Sequence, residues 1–193
     1  MQSYLKATDI VDHHDPRIVE QASQLASGCR DETGIAKASF LFVRDEIKHS
    51  GDYPGDIPTT CKASEVLRYK TGWCYAKATL LAALLRANGI PTGFAYQRLS
   101  CSEYRPDIYC LHGLNWIYLK EYGWYRVDAR GNKEGVDAQF TPPKEKLAFE
   151  IGEGEFDLPD NLPNPRPEII EALQKNKSYE EMICDFPDVK SLS

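Results

Sequence analysis

Residues 71–85 constrain this chain more than any other segment, because they place a cysteine directly before a long apolar run. The run, Thr-Gly-Trp-Cys-Tyr-Ala-Lys-Ala-Thr-Leu-Leu-Ala-Ala-Leu-Leu, predicts a helix that begins at Cys74 and ends near Asn88 and Gly89, just before Pro91. Because apolar residues occupy nearly every face, we expect this helix to be the buried centre of the fold. Cys74 would then lie at the positive end of the helix dipole, where a thiolate is stabilised.

The other cysteines lack a comparable helix start. Buried cysteine usually behaves as a small hydrophobic residue, so a structural role is the expectation for each of them. Six cysteines in 193 residues do not form a disulfide-dense pattern, and no C-x-x-C motif is present. We therefore expect even the two that could bridge a loop, Cys101 and Cys110, to remain thiols.

A cysteine nucleophile needs a base, and the chain has four histidines. His13 and His14 precede a helix with Asp15 as its predicted N-cap, and no cysteine or histidine follows at metal-ligand spacing. We predict no metal site and no cofactor. His49 ends an amphipathic helix, where an imidazole favours the negative pole, and we interpret it as a solvated cap.

The fourth histidine, His112, begins a run rich in aromatic and branched residues that predicts a strand over 112–119. Residues 120–123 supply a turn, and 124–128 a returning strand that ends at Asp128. Side chains alternate faces along a strand, so His112 and Asp128 share a face only if the turn has an odd number of residues or a bulge. A three-residue loop over 120–122 would place Asp128 opposite Leu114, diagonal to His112.

Five segments together resemble the transglutaminase-like superfamily: 63–67 (Ala-Ser-Glu-Val-Leu), 72–74 (Gly-Trp-Cys), 84–91 (Leu-Leu-Arg-Ala-Asn-Gly-Ile-Pro), 112–116 and 123–128. The resemblance covers roughly residues 40–128, and its specific part is the order of a cysteine, a histidine on a strand and an aspartate on the next strand. It implies an α+β fold with a papain-like core, in which a buried helix packs against an antiparallel sheet, preceded here by extra helices. It also implies that Cys74 is the nucleophile, His112 the base and Asp128 the residue that orients the imidazole.

The resemblance leaves the substrate contacts open. Family members usually carry a small or branched residue where this chain has Trp73, which could wall the acyl site or pack in the core. We name Trp73, Gly72, Gly113 and Tyr53 as candidate substrate-binding residues. Arg130 follows Asp128 in a string typical of a solvated turn and could reach the cleft. The side chain that completes an oxyanion hole is not assigned, and its candidates upstream of the cysteine are Tyr53, Thr59, Thr60 and Tyr69.

The whole chain is predicted to form one domain over 1–193, with a core at about 33–140. The remaining residues, 141–193, are predicted to form an irregular, proline-rich extension that contains a short helix at about 168–176. Before the core, periodicity predicts a helix over about 16–27, with Ile18, Val19 and Ala22 among its inward-facing residues, and a second helix over about 33–48. A short helix capped by Ser64 leads to Thr71, and a strand is expected over 94–99, followed by a polar loop over 100–109. A turn-rich link over 51–58 could border the cleft.

Composition and charge disfavour some classes of binding partner. A formal charge of −6 without basic clusters disfavours nucleic acid, and no apolar run is long enough to span a bilayer. Residues 1–11 lack the pattern of a signal peptide, so we expect a cytoplasmic protein. The sequence does not indicate an oligomeric state.

The chemistry predicted is acyl transfer from the amide bond of a peptide or protein, with water as the acceptor. Protein-glutamine cross-linking, as in a transglutaminase, is an alternative acceptor reaction on the same residues. A catalytically inactive binding module that keeps the groove is a second alternative. Acetyl transfer from coenzyme A needs the same three residue types, but no basic pocket for nucleotide phosphates is evident.

Overall fold

The computed structural model describes residues 1–53, 58–101 and 108–189. Within them, a 3-10 turn at Gln2–Leu5 is followed by six helices: α1 (Pro16–Ala26), α2 (Glu32–Glu46), α3 (Ala63–Tyr69), α4 (Cys74–Ala87), α5 (Pro167–Lys175) and α6 (Tyr179–Cys184). The strands are β1 (Lys48–His49), β2 (Thr71–Gly72), β3 (Thr92–Ser100), β4 (Tyr109–Leu119), β5 (Gly123–Val127) and β6 (Phe156–Asp157). The fold is α+β, as expected.

Helix α4 is the central element, as its all-round apolar pattern predicts. Every residue from Cys74 to Arg86 is buried, and α4 contacts α1, α2 and α3 as well as β3 and β4. Its two charged side chains are satisfied by backbone carbonyls: Lys77 donates to Ile47 O, and Arg86 donates to Thr92 O at 2.7 Å. The helix ends at Ala87 with Asn88 as its C-cap, and Gly89 follows with a φ of +74°, a left-handed conformation that glycine adopts without strain.

The main sheet has the order β5-β4-β3-β6, and its three strand pairs are antiparallel. Between β4 and β5 the register pairs Asn115 with Val127 and Leu119 with Gly123, which leaves a three-residue loop over 120–122. The loop therefore meets the condition for His112 and Asp128 to share a face. Continuing this register by one residue sets Asp128 opposite Leu114, so the polypeptide delivers Asp128 to the face of the sheet that carries His112.

Three sequence-based expectations about the N-terminal half are wrong. His49 does not cap α2 in solvent, because α2 ends at Glu46 and His49 lies in β1, beside Gly72 of β2, where it is only 5% exposed. Ser64 does not cap α3, because it lies inside the helix and its hydroxyl donates to Asp12 at 2.5 Å. Val19 of α1 does not face the core and is 47% exposed, whereas Ile18 and Ala22 are buried.

The C-terminal extension is more regular than its prolines suggest. Besides α5, which matches the predicted short helix, it contributes β6 to the edge of the main sheet and a second helix, α6. Ser178 caps α6 by accepting a hydrogen bond from the Glu181 N–H at 3.2 Å. Residues 186–189, which follow α6, return to β4, where the Leu111 N–H donates to Pro187 O at 2.7 Å.

The expectation that Cys101 and Cys110 remain thiols is wrong, because the structure joins them in a disulfide with a Cα–Cα separation of 5.9 Å. The pairing of β3 with β4 brings their neighbours Ser100 and Tyr109 face to face, and this register places the two sulfurs together. Cys29, Cys61, Cys74 and Cys184 are free.

Two predictions fall partly outside the described residues: the link over 51–58 and the polar loop over 100–109. Across the described ranges, no helix combines the length and apolar character that a membrane crossing requires.

Candidate active site

Cys74 is the first residue of α4, and its sulfur faces the backbone of β4. The Gly113 N–H donates to Cys74 Sγ at 3.5 Å. A side chain at position 113 would meet Tyr75 Cδ1 at 3.0 Å and Tyr75 Cα at 3.2 Å, so glycine is what lets the first turn of α4 approach β4 this closely. The Tyr75 hydroxyl donates to Leu111 O and holds the helix start against the same strand. Local packing thus fixes the sulfur beside His112.

His112 lies between Asp128 and Cys74. Its Nε2 is 2.7 Å from Asp128 Oδ2, and the Cys74 sulfur lies close enough to the ring to raise its pKa. Since Nε2 faces the carboxylate, Nδ1 is the ring nitrogen left for the sulfur. The His112 ring packs edge-on against Phe149 at 5.1 Å between centroids, which limits its rotation. The structure therefore brings together the three residues that the sequence singled out.

Asp128 is fully buried, and each of its oxygens has a partner. Oδ1 accepts from the Arg130 N–H at 3.1 Å, and Oδ2 accepts from the Ala148 N–H at 3.2 Å as well as from His112. Burial alone would raise the pKa of Asp128, but the His112 ring and these two backbone N–H groups outweigh burial and hold the pKa below its usual value. The carboxylate is thus kept ionised.

The pKa of His112 moves the other way. Burial favours the neutral ring and lowers the pKa, yet the Asp128 carboxylate and then the Cys74 sulfur favour the imidazolium and raise the pKa to about 10. At neutral pH the ring is therefore protonated, and it can donate from both nitrogens at once. This arrangement suits a group that stores a proton beside a thiolate.

A cavity of about 470 Å³ opens onto Cys74 and His112. Trp73 and Phe149 form apolar walls, and Arg130 and the Cys101–Cys110 disulfide also line it. Trp73 is 2% exposed, and its ring packs against the rings of His49, Tyr179 and Phe186. It therefore both packs in the core and walls the site, the two roles that the sequence left open.

His49 is the functional candidate that sequence reasoning missed. It lines the same cavity, and its ring packs edge-on against Trp73 at 5.6 Å between centroids. Burial, followed by the charge of Arg130, lowers its pKa well below the usual value, so the ring is neutral. Because Nδ1 accepts the Gly51 N–H at 3.2 Å, the ring proton resides on Nε2. The adjacent parallel pairing of Lys48 with Thr71 and His49 with Gly72, which places His49 beside the cysteine, is a long-range contact without a local sequence signal.

Arg130 supports this wall of the cavity from behind. Its guanidinium makes a bidentate ion pair with Asp52, at 2.6 and 2.9 Å, while its backbone N–H binds Asp128. It is 3% exposed and is therefore not the solvated turn residue that its sequence context suggests. Because Asp52 is also 3.8 Å from His49 Nδ1, the pair links the neighbourhoods of His49 and Asp128.

Of the remaining predicted substrate-binding residues, one reaches the site and two do not line the cavity. Gly113 reaches the site as the donor to Cys74. Gly72 does not line the cavity, because it packs where a side chain would meet Ala76 Cβ at 3.0 Å and Thr60 Oγ1 at 3.1 Å. Tyr53 does not line it either; the ring is 56% exposed and lies under Lys48 Nζ. The other oxyanion candidates also lie elsewhere: Thr60 donates to Thr71 O, and neither Thr59 nor Tyr69 contributes to the cavity.

The fold and the site define a papain-like arrangement, with a cysteine at the start of a buried helix and a histidine–aspartate pair on the neighbouring sheet. Residues 19–129 match the sequence profile described as the transglutaminase-like superfamily, and this match spans more than half of the 193 residues. The chain belongs to that superfamily, and hence to a family of cysteine-dependent enzymes.

A solved structure with a TM-score above 0.5 supports the fold. A protein from Cytophaga hutchinsonii, described as a candidate cysteine protease, aligns with a TM-score of 0.53 and 17% identity over 66% of this chain and 40% of that chain. The periplasmic domain of TgpA from Pseudomonas aeruginosa aligns with a TM-score of 0.47 and 22% identity over 65% of this chain and 45% of that chain. The present chain thus spans less than half the length of either protein. No curated protein matches it by sequence.

Proposed function

We propose that this protein is a cysteine-dependent acyl-transfer enzyme that cleaves amide bonds of peptides or proteins through a thioester on Cys74. The observation that carries the proposal is the buried alignment of Asp128, His112 and Cys74. The ring of His112 binds the carboxylate through Nε2, which leaves Nδ1 for the Cys74 sulfur. A fixed imidazolium between a carboxylate and a thiol is the arrangement that activates a cysteine nucleophile.

The reaction has two halves. The Cys74 thiolate forms a bond to the amide carbonyl carbon, and when the C–N bond breaks, His112 gives its proton to the leaving amine. A water molecule then attacks the thioester while His112 takes a proton from it. The products are a carboxylic acid and the regenerated thiolate–imidazolium pair. Asp128 stays ionised throughout and keeps the ring in one orientation.

Each half passes through a tetrahedral oxyanion that needs hydrogen-bond donors. The Cys74 N–H is one of the first four N–H groups of α4, which have no partner within a helix. The second donor in this proposal is Nε2–H of His49, because that ring is neutral, its proton is on Nε2 and it lines the cavity. Two donors on different elements would hold the oxyanion from both sides.

Water is the acceptor in this proposal, because hydrolysis requires one substrate site, whereas cross-linking requires a second approach for an amine. The test is turnover of a panel of peptide amides by the wild type and by Cys74→Ala, with Cys61→Ala as the control for loss of a buried thiol. We expect release of the amine and the free acid by the wild type and Cys61→Ala only. A second arm adds a primary amine and measures its incorporation into the acyl product.

Turnover that survives in Cys74→Ala would overturn the proposal. Preferential incorporation of the added amine over hydrolysis would replace water by an amine acceptor and would make the protein a transglutaminase.

A further inference from the structure

The C-terminal segment, residues 186–189, lies along the edge of β4 beside the active-site cavity. Strand β5 pairs with β4 only over 115–119, so β5 does not cover the side of β4 that faces away from β3 at residues 109–114. Two N–H groups along this edge are used by other partners. Leu111 N–H donates to Pro187 O at 2.7 Å, and Gly113 N–H donates to Cys74 Sγ at 3.5 Å.

These two donors are neighbours on one edge, because N–H groups two residues apart in a strand point the same way. They are separated by about 7 Å along the strand. The carbonyl of Pro187 and the sulfur of Cys74 are therefore bound at positions two residues apart on the same strand edge. An extended peptide that placed its own carbonyl at Cys74 would need Leu111 N–H for the backbone that precedes or follows the reacting amide.

The side chains of the segment occupy two further contacts. Phe186 lines the cavity and packs edge-on against Trp73, with 5.1 Å between centroids. Asp188 makes a bidentate ion pair with Arg98, at 2.7 and 2.9 Å. One aromatic contact, one backbone hydrogen bond and one carboxylate contact thus follow one another along three successive residues, Phe186, Pro187 and Asp188.

We propose that the free edge of β4 at Leu111, the face of Trp73 and the guanidinium of Arg98 form a peptide-binding subsite of the active site. Its ligand is an extended segment with an aromatic residue and, two positions later, a carboxylate. In the free protein, residues 186–189 occupy this subsite and compete with substrate for it. This inference rests on the proposed function for the identity of the substrate, because it names the substrate class of the same site.

Competition favours the chain's own segment. Because residues 186–189 are tethered by α6, their effective concentration at the subsite is on the order of millimolar, and a peptide in solution must exceed that concentration to displace them. Substitutions that release the segment should therefore raise the affinity for a peptide added in solution, without any change to the subsite itself.

The experiment measures binding rather than turnover and uses the full chain in a Cys74→Ala background. The probe is a fluorescein-labelled peptide with the sequence of residues 185–189, Asp-Phe-Pro-Asp-Val. Phe186→Ala combined with Asp188→Ala releases the segment but leaves Trp73, Leu111 and Arg98 in place. Fluorescence anisotropy should show at least tenfold tighter binding of the probe to this variant than to the Cys74→Ala parent, and thermal unfolding checks that both are folded.

Charge reversal tests the carboxylate contact. A second probe, Asp-Phe-Pro-Lys-Val, should bind the released variant at least tenfold more weakly than the first. Adding Arg98→Glu should reverse that preference. The proposal is overturned if the released variant binds the first probe no more tightly than the parent, or if the two probes bind it equally. Since Cys74 is absent from all of these proteins, a failure here is distinct from failure of the proposed reaction, which is judged by turnover alone.

Discussion

His112 Nε2 lies 2.7 Å from Asp128 Oδ2 across a β-hairpin, although the two residues are 16 positions apart in the chain. The three-residue loop over 120–122 makes this contact possible, because an even loop would have turned Asp128 to the opposite face of the sheet. Both side chains are buried, so the contact is protected from competing water. The first prediction concerns what this contact does.

Asp128→Asn should leave the fold intact and reduce kcat on the order of 10³- to 10⁴-fold, because an amide cannot stabilise the imidazolium form of His112. Asp137→Asn is the matched control, since Asp137 lines the same cavity but its carboxylate accepts hydrogen bonds from Asn132 and Gln139. Steady-state kinetics on the best amide of the panel checks this. Equal kcat values for the two variants would exclude Asp128 from the mechanism.

The protonation of His112 gives a stability prediction with a definite sign. Its pKa is about 10 in the folded protein, because Asp128 and Cys74 overcome the effect of burial, and about 6.5 in an unfolded chain. The interaction is therefore fully present below pH 6.5 and is lost as pH rises towards 10. The free energy of unfolding of the wild type, relative to His112→Gln, should fall across this window by up to a few kcal/mol.

Urea unfolding at pH 6.5, 8 and 9.5 measures that difference. His14→Gln serves as the control for loss of an exposed imidazole outside the site. A wild-type advantage that stays constant or grows with pH would contradict a raised pKa for His112.

His49 provides the third prediction. His49→Phe keeps an aromatic ring against Trp73 but removes the Nε2–H donor, so kcat should fall on the order of 10²- to 10³-fold, the usual cost of losing one oxyanion donor. His49→Gln, which offers an amide N–H, should recover part of that loss. The KM should change little in both variants, because the donor acts on the charge that develops in the reaction.

Tyr53→Phe is the control for His49, since Tyr53 was an upstream candidate for the same task and its ring is exposed. Kinetics that show a larger loss in Tyr53→Phe than in His49→Phe would assign the oxyanion donor to Tyr53.

The disulfide between Cys101 and Cys110 predicts how many thiols react before and after reduction. Protein purified without reductant and unfolded in denaturant should present four reactive thiols, those of Cys29, Cys61, Cys74 and Cys184, and six after reduction. A thiol-reactive chromophore measures this directly. Cys101→Ser should then add one reactive thiol, because Cys110 loses its partner. Six thiols before reduction would show that the pair stays reduced.

The sequence predicted the centre of this fold well, because the information there is local. Apolar residues on all faces, Asn88 and Gly89 at its end, and Cys74 at its start define α4 without reference to the rest of the chain. The hairpin was predicted as a condition on loop length, and that condition holds. These are periodicity and turn signals, which short stretches of sequence carry.

What escaped prediction depends on contacts between distant segments. His49 follows a helix in the sequence, and only its parallel pairing beside Gly72 brings it to the cavity. Arg130 is buried because Asp52, 78 residues away, neutralises it, and the approach of Cys101 to Cys110 depends on the register of β3 and β4. The docking of Phe186 on Trp73 likewise joins residues that no sequence period relates.

Gly113 supplies the final prediction, because its missing side chain sets the distance between α4 and β4. In Gly113→Ala the new Cβ would meet Tyr75 Cδ1 at 3.0 Å and Tyr75 Cα at 3.2 Å, and the second of these contacts is with backbone that cannot rotate away. The start of α4 must shift, which moves Cys74 Sγ away from His112. We expect a loss of about 1–3 kcal/mol in the free energy of unfolding, typical of overpacking, and a larger proportional loss in kcat.

Gly28→Ala is the matched control, since a Cβ there meets nothing within 4 Å. Denaturant unfolding and kinetics on both variants measure the two effects, and a Gly113→Ala protein as active as Gly28→Ala would show that the close approach of α4 to β4 is not what positions the sulfur.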